Sequence, residues 1–281
     1  MATYLLKSFG NSVAKCLKRA SNCNGFGNIR ANFHSTPRNL QTICSERPAY
    51  ITRLALPPDY DNVVDFMCDV YYKHEPTIVN MGLAGTEAPL VWRKMMDDLV
   101  RCGLSFIAEN REHCIIGAAL NSPTTPQEIQ MLCNLAKCCQ TEPISKVIEF
   151  YAYVLDSARV WERYCVHNVF EQSSLAISEE YRGLGIAQRL IHESWILARD
   201  CGYRLFRMDC NNSYCARICR GFGWEEVWRI PFSQYVSNGE VVFKCIKEPH
   251  TDCQVFVDRL RYCKTFLLPY KKCKRVTPPP A

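Results

Sequence analysis

No stretch of this chain approaches the ~18 consecutive apolar residues that a membrane-spanning helix needs. No C-x-x-C pair occurs among its 18 cysteines, which argues against a zinc site. Nor is there a secretory apolar core near the N-terminus, so the cysteines read as mostly reduced, buried small hydrophobes rather than a disulfide scaffold. Acidic side chains are missing from residues 1–45, where Glu46 is the first. Internal repeats are absent too.

What is present starts with that same N-terminus. Six basic residues (Lys7, Lys15, Lys18, Arg19, Arg30, Arg38) account for the whole formal charge of +6. The remaining Lys and Arg equal the 28 Asp and Glu in number, so the body is near neutral and nothing points to a nucleic-acid partner. Leu6, Phe9, Val13 and Leu17 fall on one helical face, and Lys7, Lys15 and Lys18 on another. With the stretch "IRANFHSTP", this pattern predicts a mitochondrial targeting segment over 1–45 and a matrix location. The alternative is an untargeted basic tail on a cytoplasmic protein.

The rest of the 281 residues is 48% hydrophobic and 22% charged, enough for one large core. We expect a domain over 46–265, a loose tail over 266–281, and a monomer. The run "YITRLA" predicts a strand. "YDNVVDFMCDVYYKHEP" predicts a helix capped by Asp59 or Asp61 and ended by Pro76. "TEAPLVWRKMMDDLVRCG" predicts a helix capped by Thr86 and stopped at Gly103. A hairpin follows around Asn110-Arg111-Glu112. Residues 122–168 predict a helical insertion of two segments. Then come a strand (169–177), a turn, a helix (185–201), a strand (203–210), a helix (213–221), and strands near 224–236 and 240–247. The order is α/β.

The turn is the run Arg182-Gly183-Leu184-Gly185-Ile186-Ala187 between the strand "SLAIS" and an amphipathic helix. The first amides of a helix lack internal partners, and its dipole favours an anion there. Gly183 and Gly185 let backbone approach the ligand, and Arg182 adds charge. Such a turn suits a phosphate or pyrophosphate, or is a helix entry that binds nothing. It lacks the third glycine of a dinucleotide fingerprint and the Gly-Lys-Ser/Thr of a P-loop.

Arg182, Gly185 and Ala187 fill the acetyl-CoA motif of the GCN5-related N-acetyltransferases, Arg/Gln-x-x-Gly-x-Gly/Ala, and the chain resembles that family. "RLFRMDCNNS" and "YCARICRGFGWEEV" resemble its next strand and helix. "YYKHEP", "YCARICRGFGW" and "IKEPHT" resemble the insect arylalkylamine N-acetyltransferases, including the dopamine acetyltransferase group. The resemblance spans about residues 50–262.

It implies a mixed α/β sheet with a helical insertion. Acetyl-CoA would be the co-substrate, a small primary amine the acceptor, and no metal would be needed. The pyrophosphate would rest on residues 182–187 and the pantetheine between the splayed strands Ser174–Ser178 and Arg204–Asn211. A backbone amide of Leu175, Ala176 or Ile177 would polarise the thioester. Glu75 would be the base, with a plain helix-end carboxylate as the alternative reading. Cys215 stands where the family has a serine that protonates the leaving thiolate. It fits that acid or simple packing, and Tyr214 is the other candidate acid. Asn211 also replaces a family serine. His250 would line the amine pocket or be structural. Phe150, Tyr151, Tyr153 and Trp161 would wall an aromatic-amine pocket or belong to the core.

Overall fold

The central strands are buried on both faces of one sheet. The computed structural model describes residues 49–260; the expected targeting segment 1–45 and the tail 266–281 lie outside the described residues. In chain order, β1 (Ile51–Leu54) leads into α1 (Tyr60–Phe66), which runs through a π turn at Met67–Tyr71 into α2 (Tyr72–His74). Then come α3 (Pro76–Asn80), α4 (Leu90–Arg101), β2 (Phe106–Glu109) and β3 (Ile115–Thr124). The insertion holds α5 (Gln127–Lys137), α6 (Glu142–Ser157) and α7 (Val160–Tyr164). After it come β4 (Val169–Ile177), α8 (Ile186–Asp200), β5 (Leu205–Cys210), α9 (Ser213–Phe222) and β6 (Glu225–Pro231). The short pair β7 (Val236–Ser237) and β8 (Glu240–Val241) precedes β9 (Asp252–Arg259).

The sheet order is β1-β2-β3-β4-β5-β9-β6, antiparallel except for β4 beside β5. Successive side chains point to opposite faces. Ile107, Ala118, Leu120 and Ala176 pack under α1, α4 and α6, whereas Phe106, Ala108, Ile116 and Ala119 pack under α8. Further along, Val169, Leu205, Val255 and Val257 meet α6 and α7, and Phe170, Phe206, Met208 and Phe256 meet α8 and α9. The helices therefore sandwich the sheet, with α8 and α9 on one side and α1 to α7 on the other.

The feature that positions the site is a split. β4 and β5 pair only over Phe170–Gln172 and Phe206–Met208. Across β3, Leu120 is opposite Ser174 and Asn121 is opposite Gln172, so Ser173 is an extra residue in β4. A bulge of this kind bends its strand and raises the local twist. It falls where pairing with β5 stops. Beyond it, residues 174–177 keep their ladder to β3 and turn the other edge toward an open wedge.

Several expectations need correction. Asp59 does precede α1, but its carboxylate binds Arg53 and the Leu56 amide instead of capping that helix. Thr86 does not cap α4; its hydroxyl donates to the Leu83 carbonyl at 2.7 Å, and Pro89 directly precedes the helix. The second insertion segment breaks at Arg159, which adopts φ 47° and starts α7. The strand expected near 240–247 shrinks to β8. The strand between β5 and β6 is β9, which none of the sequence expectations includes. Among the described residues all 13 cysteines are free, but only five are buried; Cys114, Cys138, Cys165 and Cys245 are exposed.

Candidate active site

The wedge opens into a cavity of about 2560 Å³ that reaches both faces of the sheet. Single small-molecule pockets run to roughly 1,000 Å³, so this one has room for two substrates. At its upper end β4 runs through a single turn, Glu179–Tyr181, into the glycine turn and α8. Gly183 and Gly185 have φ of 79° and 83°, a region L residues avoid, and a Cβ on either would meet nothing within 4 Å. The Gly185 carbonyl accepts from the Arg189 amide at 3.0 Å, so the amides ahead of Arg189 are the ones a helix start leaves for a ligand. Arg182 is exposed, and its Nε donates to the Ile177 carbonyl at 3.2 Å. Leu175, Ala176, Ile177, Arg182, Gly183, Gly185, Ile186 and Ala187 all border the cavity; Leu184 does not. The open space above the glycines and the free strand edge fit a diphosphate followed by an extended arm.

On the opposite face sits Glu75. It closes the helix whose C-terminus the sequence predicts there, and it also opens the next one. The helix ends at His74, and Glu75 adopts φ −67°, ψ 126° as the N-cap of α3, with Pro76 in the first helical position. The carboxylate accepts from the Ile78 amide at 2.8 Å and from the Thr77 hydroxyl. Its other oxygen accepts from Asn211 Nδ2 at 2.8 Å. Glu75 caps a helix end, but it is not the exposed carboxylate of that alternative: it is 4% exposed and borders the cavity. Burial pushes its pKa up, and the hydrogen bonds from Thr77, Ile78 and Asn211 oppose that rise.

Two buried acceptors surround this carboxylate without hydrogen-bond partners, Asn211 Oδ1 and the Tyr151 hydroxyl. Tyr71 adds a second phenol. Burial, then the nearby Glu75 charge, pushes both tyrosines up, so both stay neutral. Trp92 stacks on Tyr71 with ring centroids 6.1 Å apart. Of the four expected wall aromatics only Tyr151 borders the cavity. Phe150 is core against Tyr235 and Phe243, Trp161 donates to the Thr124 carbonyl, and Tyr153 is exposed. Tyr71 and Trp92 give no distinct signal in the sequence, because helical spacing marks them equally well as core.

The acid candidates separate. Cys215 is buried, its amide held by the Asn212 side chain at 2.9 Å, and burial pushes its thiol up to about 12. Protonating an ordinary thiolate of pKa ~8.5 from such a group is uphill by roughly 5 kcal/mol. Cys215 borders the cavity, and its raised pKa makes it a poor proton donor to such a thiolate. Cys215→Ala is expected to lower kcat less than about threefold and leave the alkaline limb of the pH profile in place, read by thiol release; a loss near 100-fold would return the proton to Cys215. Tyr214, on the first turn of α9, is 55% exposed and borders the cavity, with its ring edge-on to His250 at 5.5 Å. His250 Nδ1 accepts from the Ser213 amide at 3.3 Å, and burial lowers its pKa, so it lines the wall as a neutral ring.

A charged cluster without a sequence signal borders the lower cavity. Arg207 is 0% exposed and binds Asp209 through two contacts of 2.8 Å. Glu171 lies opposite Arg207 across the strand pair, and burial with the Asp209 charge pushes it up to about 7. Glu171 and Asp209 line the cavity. Among the described residues no group of three or more His, Cys, Asp or Glu is placed to hold a metal, and no helix is long and apolar enough to cross a membrane.

A scan against protein-family models finds no match. Solved structures do match. A mosquito arylalkylamine N-acetyltransferase-like 5b is 20% identical, covers 75% of this chain and 100% of its own, and has a TM-score of 0.70. Arylalkylamine N-acetyltransferase 2 from Aedes aegypti gives 20%, 75%, 99% and 0.70. A Drosophila melanogaster polyamine N-acetyltransferase that forms N-acetylagmatine gives 21%, 75%, 100% and 0.68.

Proposed function

We propose that this chain, which has the mixed α/β fold of the GCN5-related N-acetyltransferases, transfers the acetyl group of acetyl-CoA to a small primary amine. The observation that carries the reading is the Glu75 carboxylate, buried and facing two unpartnered acceptors across the wedge from the glycine turn. Acetyl-CoA would lay its diphosphate on the amides after Tyr181 and its arm against residues 173–177. An ammonium donates three hydrogen bonds, and Glu75, Asn211 Oδ1 and the Tyr151 hydroxyl supply three acceptors.

The chemistry follows from those places. Glu75 takes a proton from the ammonium, whose ordinary pKa is near ~10. Raising the carboxylate pKa narrows that gap and makes Glu75 a better base. The neutral amine then attacks the thioester carbon directly, while a backbone amide of Leu175, Ala176 or Ile177 steadies the developing oxyanion. The C–S bond breaks as the amide bond forms; the thiolate takes its proton from the Tyr214 hydroxyl, the proton shed by the new amide nitrogen restores Tyr214 through the water to which it is open, and Glu75 releases the first proton to solvent. No acyl-enzyme is required.

The aromatic wall of Tyr71, Trp92 and Tyr151 favours an arylalkylamine, the substrate class in the names of the two mosquito structures. Glu171 and Asp209 favour a second reading, an acceptor with another cation at its far end, as in the polyamine enzyme. A thiol-release assay with acetyl-CoA against tryptamine, dopamine, putrescine and agmatine decides. Release with the first pair supports the arylalkylamine reading, and release with the second pair alone supports the other. Coenzyme binding without release on any amine would leave an acyl-CoA-binding module and overturn the enzyme. The basic N-terminus supports a matrix enzyme, with the cytoplasm as the alternative. A reporter fused to residues 1–45 that stays diffuse would remove the matrix assignment.

A further inference from the structure

Gln172 is used by none of these steps. It is 1% exposed and borders the cavity, and neither its amide nitrogen nor its oxygen has a protein hydrogen-bond partner. Its cross-strand neighbour on β3 is Asn121, 0% exposed. Asn121 Nδ2 donates to the Leu104 carbonyl at 2.8 Å and to Ser194 Oγ on α8 at 2.9 Å, which leaves Oδ1 unpartnered. On the β5 side, Gln172 pairs with Met208, the last rung before the strands part. Three unpaired polar atoms thus lie close to the vertex of the wedge, on the face that carries α8, with Gln172 bordering the cavity and Asn121 behind it on β3.

Each buried polar atom left unpaired costs about 1–3 kcal/mol, and an apolar side chain would fill the same place without that cost. The two side chains are neutral amides. Together they offer one donor group and two acceptors, which suits a small uncharged group that both donates and accepts. A hydroxyl fits; a cation or carboxylate buried there would lack a counter-charge.

The place of the vertex says which part of a substrate would reach it. The amine comes from the Glu75 face. The thioester arm comes from the α8 face and enters between β4 and β5 above the vertex. Leu175 lies three residues beyond Gln172, roughly 10 Å of extended strand. What projects from the thioester carbonyl toward Gln172 is the acyl chain. Acetyl stops short of the amide, whereas a longer chain with a hydroxyl on its third carbon brings a polar group nearer to it.

We propose that Gln172, backed by Asn121, forms an acyl-tail subsite, so that the enzyme accepts, beyond acetyl-CoA, acyl-CoA donors whose chain carries a hydroxyl near its third carbon. This rests on the acyl-CoA reading above. The transfer is unchanged: the amide C–N bond forms, the C–S bond breaks, and the thiol leaves with a proton.

The test is calorimetric titration of the full chain with acetyl-CoA, butyryl-CoA and racemic 3-hydroxybutyryl-CoA, with no amine, so that the readout does not depend on turnover. The hydroxylated donor is expected to bind at least about 10-fold tighter than butyryl-CoA, because a site built to hydrogen-bond a hydroxyl rejects the analogue that lacks it. In Gln172→Met, which keeps the length but loses both polar atoms, the ratio should fall to near one. Acetyl-CoA binding with a wild-type ratio of one or below overturns the subsite and leaves the acyl-CoA reading standing. The wild-type ratio is decisive even if the variant fails to fold, and a ratio that survives in a folded Gln172→Met also overturns the subsite. Binding of none of the three donors removes both.

Discussion

Glu75→Gln is expected to lower kcat by roughly 10²- to 10⁴-fold, the usual range for a lost general base, while coenzyme affinity stays within about threefold. The substitution is close to silent structurally. Glutamine keeps an oxygen for the Ile78 amide and the Thr77 hydroxyl. Its new NH₂ faces Asn211, whose unpartnered Oδ1 can rotate in to accept. The wild-type rate should fall as pH drops through the raised pKa of Glu75, so its acid limb lies above the ordinary glutamate range, and that limb should vanish in the variant. Stability supplies an independent check. A carboxyl whose folded pKa is raised loses its stabilising contribution as pH rises from its unfolded value through its folded one. Removing the charge should therefore help the variant more at pH 8 than at pH 5, read as the difference in melting temperature from wild type. An unchanged turnover across that range would take Glu75 out of the mechanism.

Gly185→Trp is expected to weaken acetyl-CoA binding by roughly 100-fold or more, about 2.7 kcal/mol. The space around a Cβ at this position is empty of protein atoms, and it lies where the diphosphate would rest. The φ of 83° adds a backbone cost of about 1–2 kcal/mol for any L residue. Gly185→Ala carries the same strain without the ring and separates the two effects. If alanine weakens binding as much as tryptophan, backbone geometry governs the site. If neither weakens it, the coenzyme binds elsewhere.

The glycine-turn half of the candidate site is legible in the sequence because its signals are local. A strand, two glycines and an amphipathic helix are contiguous, and Arg182, Gly185 and Ala187 sit at fixed spacing along them. Glu75 is legible through its neighbours "YYKHEP" and as the end of its helix, but its N-cap role is not, because Pro76 reads as a stop and is also the first residue of the next helix. β9 gives a weak signal although Val255, Phe256 and Val257 are apolar in a row; a strand buried on both faces does not alternate. Cys215 looks interchangeable with a serine until its burial fixes its acidity. The Glu171, Arg207 and Asp209 cluster, and the Gln172 and Asn121 pair, come from different strands and have meaning only once the register is known.

Titrating acetyl-CoA into the purified full-length chain tests the central claim most directly. The account predicts saturable one-to-one binding in the micromolar range and a melting temperature that rises with ligand. A chain that unfolds cooperatively, yet gives no heat and no shift at about 1 mM acetyl-CoA, where a micromolar ligand should add roughly 4 kcal/mol, would contradict it.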